Sequence, residues 1–263
     1  MMYLLLKQNV KCNCMKQKNY LLLCLLLLSV NFFEGKSQSW TDISTAWIAS
    51  QGMDQGSTQY NIGCGGVVPN RLTGDVTIKF TRFGMWRSSD QGKTYVRIDQ
   101  NTVGGRCESP WAVQVDQDDP KRMAVFSLDG TSAYTADGIS WIKMTDVGRN
   151  WDLGAVDWNS PKPKVFLALR HEDNRSLYLS KDGGKTWSII VSSPLYYYNT
   201  GIFIGIIDST TLLYSNNNGI NRSTDLGVTW TQVSTAEVRS KVAVMFKGAC
   251  YVGTKNGLLV SKD

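Results

Sequence analysis

An all-β fold assembled from repeated four-stranded antiparallel units is what this 263-residue sequence predicts, and three observations lead there. A short polar turn of the form S-x-D-x-G-x-T-W recurs along the chain. The aspartates of its copies are spaced by 47, 45, 43 and 38 residues, about the length of one supersecondary unit in a repeat array. Between them run short apolar segments bounded by Gly, Pro, Asn or Asp, the pattern of strands joined by tight turns. Units of this size and class predict a β-propeller of four-stranded antiparallel blades.

The turn is complete in "SKDGGKTW", Ser180 to Trp187, and in "STDLGVTW", Ser223 to Trp230. "SSDQGKTY", Ser88 to Tyr95, changes only the final aromatic, and "TADGISW", around Asp137, is one residue shorter. Each residue type has a physical task. The aspartates Asp90, Asp137, Asp182 and Asp225 can accept hydrogen bonds from N–H groups further along the turn. Gly92, Gly184 and Gly227 supply the positive φ that a tight turn demands. The closing ring, Trp187 or Trp230, buries a large area against the next blade, worth about 1.5 to 3 kcal/mol. These residues, with Ser88, Ser180 and Ser223, are therefore expected to be structural.

The strands can be read off between the turns. In residues 111 to 144, "WAVQVD", "RMAVFSL", "TSAYT" and "WIKM" form four strands, and the next unit repeats them as "GAVDW", "KVFLAL", "SLYLS" and "WSII". Proline falls between the strands, where it interrupts no ladder.

The S-x-D-x-G-x-T-W pattern resembles the Asp-box, or BNR repeat, of sialidases, oligoxyloglucan-type glycosidases, sortilin-like receptors and photosystem II assembly factors. The resemblance covers most of residues 75 to 263. It implies a β-propeller with Asp-box turns and leaves the function open, because that fold serves both catalysis and binding. The chain stops at "VSKD", within a fifth copy at Asp263. About five blades are expected over residues 38 to 263, the last incomplete, in a C-terminally truncated ring. "SWTDIS", residues 39 to 44, resembles the tail of such a turn and is expected to supply an outer strand that closes the ring.

Residues 1 to 37 have the layout of a signal peptide: a basic stretch from Met15, the apolar run "LLLCLLLLSV" and a polar exit, with Met15 as an alternative start. A secreted or cell-envelope location is expected, with no transmembrane segment in the mature chain, since the apolar run is too short to span a bilayer. The formal charge of +6 is carried largely by this leader; without it, 23 basic residues face 21 acidic ones. That balance gives no electrostatic case for nucleic acid.

Of the six cysteines, Cys64, Cys107 and Cys250 lie beyond the leader, too far apart for a CxxC metal or redox motif. An exported chain could join Cys64 to Cys107, but the odd number argues against a disulfide framework, and incidental cysteines are the simpler reading. His171 is the sole histidine, which excludes a multi-histidine metal site. No cofactor or metal is predicted, and the oligomeric state is left open.

In a four-stranded blade the S-x-D-x-G-x-T turns occupy one face, so a ligand funnel on the other must use the second-to-third loops and the blade-to-blade connections. These contain Arg106, Arg149, Trp151, Arg170, His171, Arg175 and Tyr197 as candidate ligand-binding residues, and Asp152, Glu172 and Glu108 as candidate acids, with Asp157 in the strand "GAVDW" as a fourth. Guanidinium groups bind carboxylates, flat rings cover sugar faces, and paired acids cleave glycosidic bonds. The resemblance to sialidases implies an R-I-P motif that begins an arginine triad, and no R-I-P occurs here. The expected function is a recognition platform for a polysaccharide, glycan or protein ligand. The alternative is a sialidase-like or xyloglucanase-like glycoside hydrolase using paired loop carboxylates.

Overall fold

The computed structural model of the chain describes residues 40–53, 64–107, 110–145, 150–172, 176–192 and 202–262. They form five antiparallel sheets, each a meander whose strands pair in sequence order. Blade 1 contains β1 (Cys64–Pro69), β2 (Val76–Phe80), β3 (Gly84–Ser88) and β4 (Val96–Arg97). Blade 2 contains β5 (Val113–Val115), β6 (Met123–Val125), β7 (Ala133–Thr135) and β8 (Trp141–Lys143). Blade 3 contains β9 (Trp151–Val156), β10 (Phe166–Arg170), β11 (Leu177–Ser180) and β12 (Ser188–Val191). Blade 4 contains β13 (Ile204–Ile206), β14 (Leu212–Asn216), β15 (Gly219–Ser223) and β16 (Thr231–Ser234), and the three-stranded blade 5 contains β17 (Val244–Phe246), β18 (Ala249–Thr254) and β19 (Gly257–Ser261). The first strands of blades 1 to 4 lie side by side in succession, as the inner strands of a β-propeller do.

The apolar runs are nearly continuous because the inner strands are covered on both faces. Every residue of β9 and of β11 is buried, whereas the outer strands β12 and β16 are largely exposed. The core consists of layers between blades. Met85 and Val103 meet Val113, Met123 and Val125 between blades 1 and 2; Phe126 and Tyr134 meet Trp151, Phe166 and Tyr178 between blades 2 and 3. Leu153, Leu167, Leu169 and Leu177 meet Ile202, Ile204 and Leu212 between blades 3 and 4, and Phe203 and Leu213 meet Cys250 and Val252 between blades 4 and 5. Burying each such side chain fully contributes about 1.5 to 3 kcal/mol.

The three full turns share one geometry. The Ser180 hydroxyl donates to Asp182 Oδ1 at 2.9 Å and accepts from the Gly184 N–H at 2.8 Å. The Thr186 N–H and hydroxyl donate to the two Asp182 oxygens at 2.9 and 2.6 Å. Ser88, Asp90, Gly92 and Thr94 repeat this, as do Ser223, Asp225, Gly227 and Thr229. In the shortened copy Thr135 replaces the serine, and the Ile139 and Ser140 N–H groups donate to Asp137 Oδ1. The Thr side-chain and backbone donors hold Asp90, Asp182 and Asp225 down at about 2, and the backbone N–H of Ser140 leads the same effect on Asp137.

One expectation about these turns is corrected. Their rings and glycines face the preceding blade, not the next one. Trp187 of blade 3 donates to the Thr145 carbonyl at the end of blade 2 at 3.1 Å, and a Cβ on Gly184 would lie 2.8 Å from Met144. A Cβ on Gly227 of blade 4 would lie 2.8 Å from Ile190 of blade 3. Blade 1 has no preceding blade among the described residues, and a short helix, α1 (Thr45–Ser50), takes that place. Trp47 of α1 packs on Trp86 and Tyr95 at ring distances of 4.9 and 4.6 Å, and Ile43 lies where the Gly92 Cβ would be. Residues 40–44, expected as a closing outer strand, contain no strand. Ile43 of this segment and Trp47 of α1 cover blade 1 instead.

Among the described residues no helix is long and apolar enough to cross a membrane. The signal-peptide residues, like Asp263, lie outside the described residues.

Candidate functional site

The loops opposite the serine-aspartate turns are joined to one another by backbone hydrogen bonds. The connection from blade 1 to blade 2 runs along the central hairpin loop of blade 2, where Arg106 and Leu128 exchange N–H···O bonds of 2.9 and 2.8 Å. Leu128 in turn forms an antiparallel bridge with Asn150, in the connection from blade 2 to blade 3. The Trp151 N–H donates to Ser127, and the His171 N–H, on the β10–β11 loop, donates to Asn150 at 2.9 Å. Glycine makes this approach feasible: at Gly105, with φ of +65°, a Cβ would lie 2.7 Å from the Gly130 nitrogen. Gly104, Gly105 and Gly130 thus bring the chain segments together, and Arg106 emerges beside them.

Side chains continue the row. Arg106 Nη1 donates to Asp129 Oδ2 at 2.7 Å, and the Asp129 N–H donates to Asn150 Oδ1 at 3.0 Å. The Asn150 amide nitrogen donates to Glu172, which also lies 3.8 Å from Arg170 Nε. Arg170 reaches the Tyr178 hydroxyl at 3.4 Å. His171 Nδ1 sits 2.6 Å from Asp152 Oδ1; the carboxylate is buried, while the imidazole is 40% exposed. Arg106, Asp129, Asn150, Arg170, His171, Glu172 and Asp152 therefore form one polar row over blades 2 and 3, with acids and bases interleaved. Beside the start of β5, a 3-10 turn (Pro110–Ala112) presents the Trp111 ring, 43% exposed, at the same end of the blades.

Five sequence-predicted residues, Arg106, Asp152, Arg170, His171 and Glu172, belong to this row, Asp152 as its buried member. Two others are corrected. Trp151 is only 2% exposed and packs on Tyr178 and Trp187 at ring distances of 5.4 and 4.9 Å. As the first residue of a strand covered on both faces, it directs its ring into the layer between blades and offers none of it to a ligand. Asp157 is also buried, at the opposite end of β9, where its Oδ1 accepts from the N–H and side-chain amide of Asn159. It closes the β9–β10 turn. Five residues of extended chain put it about 16 Å from Asp152, beyond the separation of glycosidase acid pairs, roughly 5 to 9.5 Å. Glu108, Arg149, Arg175 and Tyr197 lie outside the described residues.

Asp129 and Asn150 were not singled out from sequence. The "DG" at Asp129 reads as an ordinary hairpin turn, and Asn150 sits unmarked beside Trp151; their roles depend on contacts between different blades. Among the described residues, no group of three or more His, Cys, Asp or Glu residues is arranged to hold a metal ion.

No protein-family model matches the chain, and no curated protein matches it either. Solved structures do. A GH74 enzyme from Niastella koreensis is 17% identical, with a TM-score of 0.49, over 74% of this chain and 33% of that one. YCF48 bound to D1 peptide is 13% identical, with a TM-score of 0.47, over 72% and 60%. YCF48 from Cyanidioschyzon merolae is 12% identical, with a TM-score of 0.42, over 80% and 70%. This chain spans about a third of the first of these and three fifths of the second. At such identities the likeness concerns the fold and does not extend to activity.

Proposed function

We propose that the protein is a recognition platform whose ligand, a glycan in the first place, lies across the loops of blades 2 and 3. The observation that carries this reading is the interleaved row from Arg106 to Asp152. Its donors and acceptors are oriented by one another and by backbone bonds before any ligand arrives, which reduces the ordering cost of binding. Two arginines, one histidine and three carboxylates nearly balance in charge. Such a surface suits a polar ligand with many hydroxyl or amide groups and disfavours a polyanion. The exposed ring of Trp111 adds the flat apolar surface on which a sugar face can rest. A protein segment is the other ligand class that this row could accept.

The hydrolase reading rests on Asp152 and Glu172, the two candidate acids that share the row. Against it, Asp152 is buried and held by His171, so it is poorly placed to reach a glycosidic oxygen or a water. Retention on a panel of plant and animal polysaccharides, measured together with release of reducing sugar, separates the readings. Saturable binding without turnover, weakened at least tenfold by Glu172→Gln or Arg106→Ala, is expected. Turnover abolished by Asp152→Asn with Glu172→Gln would replace recognition by hydrolysis. Absence of both, alongside capture of a peptide or protein by the same surface, would move the ligand to the protein class.

A further inference from the structure

We propose that Cys64 and Cys107 form a disulfide, made by exchange with a small-molecule disulfide, that ties the first strand of blade 1 to the connection entering blade 2. The two residues are brought together by backbone. The β1/β2 register shifts between Cys64 and Gly66, a bulge that interrupts the alternation of side chains, and the Cys64 thiol donates to the Gly66 carbonyl at 3.1 Å. At the bulge, a Cβ on Gly65 would lie 2.9 Å from Cys107 Cβ and 3.5 Å from its Sγ. The absence of a side chain at Gly65 is thus what admits Cys107 against β1, one residue from Cys64.

A buried cation sits beside them. Lys79, on the neighbouring strand β2, is fully buried, and its ammonium donates to the Gly105 carbonyl at 2.8 Å and to the Phe80 carbonyl at 3.3 Å. Its positive charge favours the thiolate form of both cysteines. Burial pushes Cys107 up to about 11 and raises Cys64, while Lys79 opposes both shifts. Cys64 is the exposed member and Cys107 the partly buried one, so attack on an external disulfide begins at Cys64.

With oxidised glutathione as the oxidant, the Cys64 thiolate attacks one sulfur, forming a mixed disulfide and expelling one glutathione thiolate. The Cys107 thiolate then attacks the Cys64 sulfur, forming the protein disulfide and expelling the second. The two leaving thiolates take up the two protons given up by the cysteines. The protein is oxidised by two electrons and the glutathione disulfide is reduced by two.

The test is to equilibrate the whole reduced protein with oxidised glutathione, quench with acid, alkylate without reduction and map the peptides by mass spectrometry. A peptide linking Cys64 to Cys107 is expected, with Cys250 alkylated only after unfolding. The thermal midpoint should rise by roughly 5 °C or more over the reduced protein. In Cys107→Ser, glutathione should remain trapped on Cys64. Alkylation of both cysteines in the wild type, a glutathione adduct on Cys64 that never resolves, or a link that includes Cys250 would each overturn the proposal.

Discussion

His171 and Asp152 meet at 2.6 Å although they belong to different segments: a half-exposed imidazole on the β10–β11 loop holds a buried carboxylate in the first strand of blade 3. The pair fastens the ligand-facing loop to the blade beneath it. Removing the imidazole takes a partner from a buried acid. His171→Ala should therefore cost about 1 to 3 kcal/mol of unfolding free energy in urea titrations. Combined with Asp152→Asn, the loss should be less than additive, with a coupling of about 1 kcal/mol or more in a double-mutant cycle. Full additivity would mean that the contact contributes nothing.

Asp182 accepts from four donors: the N–H groups of Lys185 and Thr186 and the hydroxyls of Ser180 and Thr186. Asp182→Ala should destabilise the protein by about 1 to 3 kcal/mol, and Asp182→Asn, which keeps one acceptor oxygen, by less. Ligand retention at saturating stability should be unchanged, because the turn lies at the other end of the blade from the polar row. Chemical denaturation and the polysaccharide assay together test both statements.

Acid should unfold the protein through these turns. Asp90, Asp137, Asp182 and Asp225 are held at about 2, below the unfolded carboxylate value near 3.9. A depressed folded value means that the contribution is complete above about pH 4 and is lost as pH falls through about 2. Stability measured between pH 5 and pH 2 should decline progressively. The decline should be shallower in a variant carrying Asp182→Asn and Asp225→Asn. An equal slope in that variant would contradict the assignment.

The residue after each turn aspartate is left-handed: Gln91 has φ of +63°, Gly183 +75° and Leu226 +58°. Of these three full copies only one uses glycine there; the shortened copy has Gly138, with φ of +74°. Gln91 is exposed, so Gln91→Gly should relieve backbone strain at little cost in packing and raise stability by up to about 1 kcal/mol. Leu226, partly buried against the layer between blades 3 and 4, should not gain from the same change. Thermal denaturation of the two variants side by side distinguishes them.

Much of the fold was legible in the chain because its information is local. The polar turn recurs with the residue types that its own hydrogen bonds require, and the apolar segments between copies have strand length. Strands β5 to β8 and β11 accordingly fall within the segments read between the turns, whereas β9 begins three residues before its segment and β10 and β12 each run one residue beyond theirs. The face on which the turns lie also followed, since strand order in a meander decides it. The direction of the turn rings did not follow: whether Trp187 rests on the preceding or the following blade depends on how neighbouring sheets are staggered. Sequence placed the region 39–44 in a strand by its likeness to "TWTQV", whereas the structure uses Ile43 and Trp47 to cover blade 1.

The candidate site divides in the same way. Sequence by itself determined that Arg106, His171 and Glu172 lie in connections, and Arg170 beside them, here at the end of β10, on the face opposite the turns, because the number of strands between two loops decides which end each occupies. Only the tertiary structure decided that Asp129 and Asn150 join them into a row, that Trp151 is core, and that Asp157 belongs to the other end of its strand. Those outcomes rest on contacts between segments more than twenty residues apart and on which side of a doubly covered strand a side chain leaves. Neither is encoded in the local order of residue types; both arise when one blade is laid against the next.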